Sequence, residues 1–247
     1  MNIYVNRIKN DIRGFADKTA KAQAQAEQNA QRFLPETATK ENEALWAELN
    51  KEYVRLKAEI IDTFTEIKTA LSLASAPTAE AVSGERMFFN GEFPITVTPQ
   101  EFVIFSDMHP SNFLWQRFLL DQITKADADK ESGMTPYTDV RRMIENRLPE
   151  NIVHAYAKIF EGALSMLDTA MQGKVNDAVF DAWMNEESGF SAELFAAIGD
   201  GQDIAQYKQR SLPESAKHQF DGVILHEQNG QEALKAPTHT FSYASVR

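Results

Sequence analysis

Apolar residues recur every three or four positions through the first third of the chain, and the pattern is broken once, at Leu34-Pro35-Glu36. Before the break, Val5, Ile8, Ile12, Phe15, Thr19, Ala22, Ala26, Asn29 and Phe33 keep to an alternating spacing of three and four. That spacing holds one stripe on one face of a helix. Its bulk lies at the ends, because the middle is almost all alanine, which propagates a helix well but buries little apolar area. Proline lacks an amide donor and disfavours a helical residue before it, so Pro35 is expected to end the helix, with Thr37 or Thr39 capping the next.

The second stripe is heavier. It runs through Leu45, Leu49, Tyr53, Leu56, Ile60, Phe64, Ile67 and Leu71, and Trp46 and Ile61 widen it. The pair predicts a long helical hairpin over residues 1–75, of coiled-coil type, with a reach of ~45–50 Å at 1.5 Å per residue. Two helices alone cannot cover such stripes. Either the hairpin docks on the rest of the chain or it packs against copies of itself, and its length favours self-association. The candidate oligomerisation or docking residues are therefore Ile8, Ile12, Phe15, Leu45, Leu49, Tyr53, Leu56, Ile60, Phe64 and Ile67.

Small residues from Ala74 to Gly84 mark a linker, placed at 76–84, and a second domain follows at 85–247. Asn90-Gly91, between apolar runs, predicts a β-hairpin over 86–97, and Asn229-Gly230 predicts another over 222–235. Thr98-Pro99-Gln100-Glu101 reads as a capping box with proline at the first helical position, opening a helix that stops before His109-Pro110. Ser111 is expected to cap the next helix, with Phe113, Leu114, Phe118, Leu119 and Ile123 on it. A short helix is predicted at 138–147. Pro149 opens the best-patterned helix of this half, through Ile152, Val153, Tyr156, Ile159, Phe160, Ala163, Leu164, Leu167 and Met171, and Gly173 stops it. Two more helices are expected at 175–185 and 191–198. The predicted class is mainly α within an α+β fold: a long hairpin, then a helical domain with two small β-hairpins.

Composition narrows the functions. The 247 residues contain no cysteine, which removes disulfides, thiolate metal sites and cysteine nucleophiles and fits a reducing compartment. No apolar run approaches membrane length, and Met1 to Gly14 shows no apolar core of the kind a secretory leader carries. The expectation is a soluble, cytoplasmic chain without membrane contact. The net charge of −11 is uneven: residues 1–80 hold 11 Lys/Arg against 12 Asp/Glu, and the remainder holds 14 against 24. Between Lys174 and Lys208 there is no cation, while Asp177, Asp181, Glu186, Glu187, Glu193, Asp200 and Asp203 fall inside. An acidic face repels phosphate backbones, so direct nucleic-acid binding is disfavoured and a basic protein partner is the alternative to a merely solvated face.

Motifs of catalysis are sparse. No glycine-rich phosphate loop and no Gly-x-Ser-x-Gly elbow occurs. The five histidines form no close pair, and His154 is read as a structural residue of its helix. His218, Asp221, His226 and Glu227 lie near one another in sequence, and Asp107 and His109 flank a helix end; both are weak candidates for chemistry. Asp127-Ala-Asp129-Lys-Glu131-Ser-Gly133 begins like a calcium loop, with oxygens at the first, third and fifth places. Its glycine comes seventh instead of sixth and Thr138 stands at the twelfth place, so an ordinary polar loop competes with a metal site at Asp127, Asp129 and Glu131. No cofactor is expected.

The leading expectation is a non-enzymatic structural, assembly or adaptor protein, a homo-oligomer through its hairpin. Long alanine-rich arms on an acidic, cysteine-free chain are similar in style to phage or virion assembly proteins, without a motif match. The alternatives are an acidic inhibitor or decoy for a basic surface, and an enzyme whose Asp/Glu/His site shows no recognisable spacing.

Overall fold

A computed structural model describes residues 2–75, 97–110, 112–127, 136–175, 198 and 219–225. Among them are six α-helices and no strand: α1 (Ile3–Arg32), α2 (Pro35–Ser75), α3 (Pro99–Met108), α4 (Phe113–Asp127), α5 (Thr138–Glu145) and α6 (Pro149–Met171). The chain is mainly helical, with two long helices at its front. The β-hairpin expected at 86–97, the linker at 76–84 and most of the helices at 175–185 and 191–198 lie outside the described residues. So does most of the second β-hairpin. Its first residues are described and are not a strand: Val223 donates to Phe220 O at 3.0 Å, closing a turn.

Two compact units make up the chain. One comprises Tyr4–Asp62, Ile159–Asn185 and Leu225–Arg247, and the other Met1–Ile3, Thr63–Lys158 and Glu186–Ile224. The first holds most of α1, the front of α2 and the back half of α6. The α1 stripe is buried at Val5, Ile8, Ile12, Phe15, Thr19, Ala22, Ala26 and Asn29, in the register that the spacing predicts. Phe33 departs from it, because α1 ends at Arg32 and its last ring is left at the loop.

Pro35 does end the pairing of one helix, but it is also the first residue of the next, and neither Thr37 nor Thr39 is the cap. A first-turn amide has no intrahelical partner, so proline loses nothing there and its fixed φ suits the helix. Leu34 O instead receives Ala38 N–H at 2.9 Å, and Thr39 Oγ1 donates back to Pro35 O at 2.9 Å.

In the first unit, a side-chain hydrogen bond ties α6 to the hairpin. Tyr53 Oη, on a ring buried in α2, donates to Asp168 Oδ1 at 2.6 Å. Just beyond it Gly173 takes φ +68° and closes α6, with Gly173 N–H donating to Ala170 O at 2.9 Å and Lys174 N–H to Thr169 O at 3.2 Å. A Cβ at Gly173 would fall on the Gln23 side chain of α1, so glycine answers both the left-handed backbone and the close approach.

The second unit is built on α3, α4 and α5, whose shared core is Val97, Phe102, Trp115, Leu119, Ile123, Tyr137, Val140 and Ile144. The predicted capping box is present: Glu101 N–H donates to Thr98 Oγ1 at 3.3 Å and Thr98 N–H to Glu101 Oε2 at 2.7 Å. The Thr98 N–H, and then the Thr98 hydroxyl that donates to Glu101 Oε2 at 2.8 Å, hold the Glu101 carboxyl below its ordinary range. The cap of α4 is Asn112, not Ser111, with Trp115 N–H donating to Asn112 Oδ1 at 3.1 Å. Ser111 itself lies outside the described residues.

Candidate functional site: the outer face of the hairpin

The seam between α1 and α2 grades from bulky to small. Near the open end Ile8, Ile12 and Phe15 meet Tyr53, Leu56 and Ile60, and the Phe15 and Tyr53 rings lie 6.4 Å apart. Toward the loop the buried residues are Ala22, Ala26 and Ala38, which let the backbones approach. Asn29 is buried among them, where its amide donates to Asn42 Oδ1 at 2.9 Å and accepts from Gln25 Nε2 at 3.0 Å. A paired polar group in such a seam fixes register, since sliding the helices would strand it. Charges rivet the rim: Arg7 to Glu59 at 3.0 Å and Lys18 to Glu52 at 2.6 Å. The basic partners are exposed and the carboxylates partly so, and such rim pairs contribute little each.

The consequence for the predicted contact residues is direct. Ile8, Ile12, Phe15, Leu49, Tyr53, Leu56, Ile60, Phe64 and Ile67 are all buried within the one chain, and Leu45 is half-buried. Their side chains are core. What the hairpin leaves to solvent is a different set: Ile3 at 43 % exposed at the start of α1, Phe33 at 46 % and Leu34 at 78 % at the loop, and Val54 at 45 % and Ile61 at 37 % along α2. Ile61, expected to widen the buried stripe, is instead on the outside. With Ala44, Ala47, Lys51 and Ala58, all exposed, Val54 and Ile61 form a second series at steps of three and four. That series was readable in the sequence, but the heavier stripe beside it carries more bulk and masks it.

One recess opens on the seam, lined by Ile8, Asp11 and Ile12 of α1 and Leu56, Glu59 and Ile60 of α2. Burial raises the Asp11 carboxyl above its ordinary value and the Glu59 charge raises it further, against the pull of Arg7 and Arg55.

The remaining candidates are dispersed. Asp127, the last residue of α4, lies 3.6 Å from Arg141 Nη2, while Asp129 and Glu131 fall outside the described residues. Among described residues no three potential ligands gather as a metal site. Asp107 is taken by Arg147 Nη2 at 2.6 Å, and the His109 ring stands edge-on to Trp115 at 6.0 Å, so both belong to a structural junction. His154 is on the exposed side of α6, not in its packed face. Of the other weak group, only Asp221 is described, and His218, His226 and Glu227 are not. Asp177, Asp181, Glu186, Glu187, Glu193, Asp200 and Asp203, the acidic face, also lie outside the described residues. No described helix is long and apolar enough to cross a membrane.

The chain matches no protein family model, no curated protein and no solved structure.

Proposed function

We propose that the protein is a non-enzymatic structural or adaptor protein that self-associates through the outer face of its N-terminal hairpin. The observation that supports this is the division of apolar residues on that hairpin. Its inner stripe is consumed by packing, yet Phe33, Leu34, Val54 and Ile61 stay in water on an arm of two long helices. Single exposed apolar residues are ordinary, but several on one hairpin, two of them adjacent at its loop, fit a contact surface. The cation-free window from Lys174 to Lys208 adds an acidic segment for a basic partner. A cysteine-free chain suits the cytoplasm, or a virion if the chain is a phage assembly component.

Light scattering on the full chain tests the reading. Because Leu34, Val54 and Ile61 are exposed, changing all three to Glu is expected to leave the fold intact, which circular dichroism checks. The wild type is expected to gain mass with concentration and the triple variant to stay monomeric. Equal masses for the two at every concentration would remove the proposal.

A further inference from the structure

The outer side of α2 carries its charge in two blocks. Glu41, Glu43 and Glu48 come first, and Lys51, Arg55 and Lys57 follow. Glu41, Glu43, Glu48 and Lys51 are exposed and make no ion pair among the described residues. Arg55 bonds Glu59 of its own helix at 3.0 Å yet stays 62 % exposed, and Lys57 lies 6.0 Å over the Tyr53 ring. Through both blocks runs the exposed series Ala44, Ala47, Lys51, Val54, Ala58 and Ile61, at the alternating three and four steps of a coiled-coil seam.

A patch with an acidic half and a basic half complements itself once a copy is reversed, and a two-fold axis imposes that reversal. Parallel copies would set acid on acid and Lys51 on Lys51. We propose that this face is covered by a second copy of the chain, its α2 antiparallel to the first about an axis at the level of Leu49. The proposal rests on the self-association argued above and gives it a surface and a direction. About that axis Glu41 meets Arg55, Glu43 meets Lys57 and Glu48 meets Lys51 of the second copy, each twice. The two Glu48 carboxylates also approach one another there, and the two Lys51 amines offset them. The same axis sets Val54 over Ala44 and Lys51 over Ala47, so each larger side chain crosses a small one. The lysine stem covers alanine while its amine reaches Glu48. Such a seam is thin in apolar area, so the dimer is weak and loosens in salt.

Analytical ultracentrifugation of the full chain tests this with Glu48→Lys, Lys51→Glu and the chain carrying both. Each single substitution gathers four like charges at the axis and is expected to weaken the dimer about tenfold or more. An equimolar mixture of the two single variants should dimerise as well as wild type, and so should the double variant, which a folding defect would not allow. Direction is read separately. The chain has no cysteine, so Asp62→Cys takes a single nitroxide label. At 1.5 Å per residue, pulsed electron resonance should find the two labels of a dimer about 40 Å apart if the copies are antiparallel, against roughly 10–20 Å if they are parallel. A dimer unmoved by Glu48→Lys, a mixture that stays monomeric, or the shorter label distance would overturn the antiparallel pairing and leave self-association standing. A wild-type chain that is monomeric at every concentration would overturn both.

Discussion

Replacing Gln116 with Leu keeps the volume of a side chain at the heart of α4 and removes its hydrogen bonding. The problem it solves begins with the end of α3. The last carbonyls of a helix lack intrahelical partners, and Pro110 cannot supply the amide that Ser106 O would otherwise accept. Residues of α4 fill the gap. Trp115 Nε1 donates to Phe105 O at 2.8 Å, and Gln116 Nε2 donates to Ser106 O at 3.0 Å and to His109 O at 2.9 Å. Gln116 Oε1 accepts from Ser106 Oγ at 2.6 Å, and that hydroxyl in turn accepts from Arg147 Nη1 at 2.6 Å. Ser106 and Gln116 are both fully buried.

In Gln116→Leu, His109 O keeps Asn112 N–H at 3.1 Å, so two groups lose their partners, Ser106 O and the Ser106 hydroxyl proton. At roughly 1–3 kcal/mol for each stranded buried group, the cost is about 2–6 kcal/mol. At about 2–4 °C per kcal/mol, the melting temperature should fall by roughly 4–24 °C. Differential scanning calorimetry gives the shift, and tryptophan fluorescence reports the loss of packing around Trp115. Ser106→Ala is the companion: it strands one buried group, Gln116 Oε1, beside a partly exposed Arg147, and should cost about 1–3 kcal/mol. Combined with Gln116→Leu it should cost less than the sum. A Gln116→Leu protein that melts with wild type would mean that this knot does not hold α3 to α4.

Three more outcomes follow from the ties and the core. Tyr53→Phe removes the donor to a half-buried Asp168 and should lower stability by about 1–2 kcal/mol in urea unfolding, with the helix content unchanged. Gly173→Ala should cost about 1–2 kcal/mol for the left-handed backbone alone, and adding Gln23→Ala should recover only the steric part, as melting temperatures would show. Ile12→Ala, at a site that is 1 % exposed, should cost about 2–5 kcal/mol by denaturant titration and should not depend on protein concentration.

Periodicity made the helices legible, and their start signals mostly so. The α1 stripe, the capping box at Thr98 and the proline start and glycine stop of α6 could all be read because each rests on local backbone chemistry. Pro35 was open to two readings, an end or a beginning, and only the geometry at Leu34 and Ala38 separates them. What no local signal carried was the partner of a stripe. A row such as Ile8-Ile12-Phe15 has the same spacing whether it faces its own chain or a copy, and here it is covered by its own chain. The Gln116 knot was equally hidden: Gln116 falls on the stripe of Phe113, Leu119 and Ile123, but the groups it bonds are not set until the end of α3 is in place. Asp11 was hidden for a similar reason: Glu59 is far from it in sequence and beside it in the recess.

The hairpin seam closes within one chain, which leaves only outer positions for contact. Amide hydrogen exchange over Val5–Phe15 and Leu49–Ile60, measured on the full chain as it is diluted from micromolar to nanomolar, tests that directly. Protection that stays constant on dilution is the predicted result. Protection that collapses as the protein is diluted would show the seam to be formed between chains, and would contradict the account.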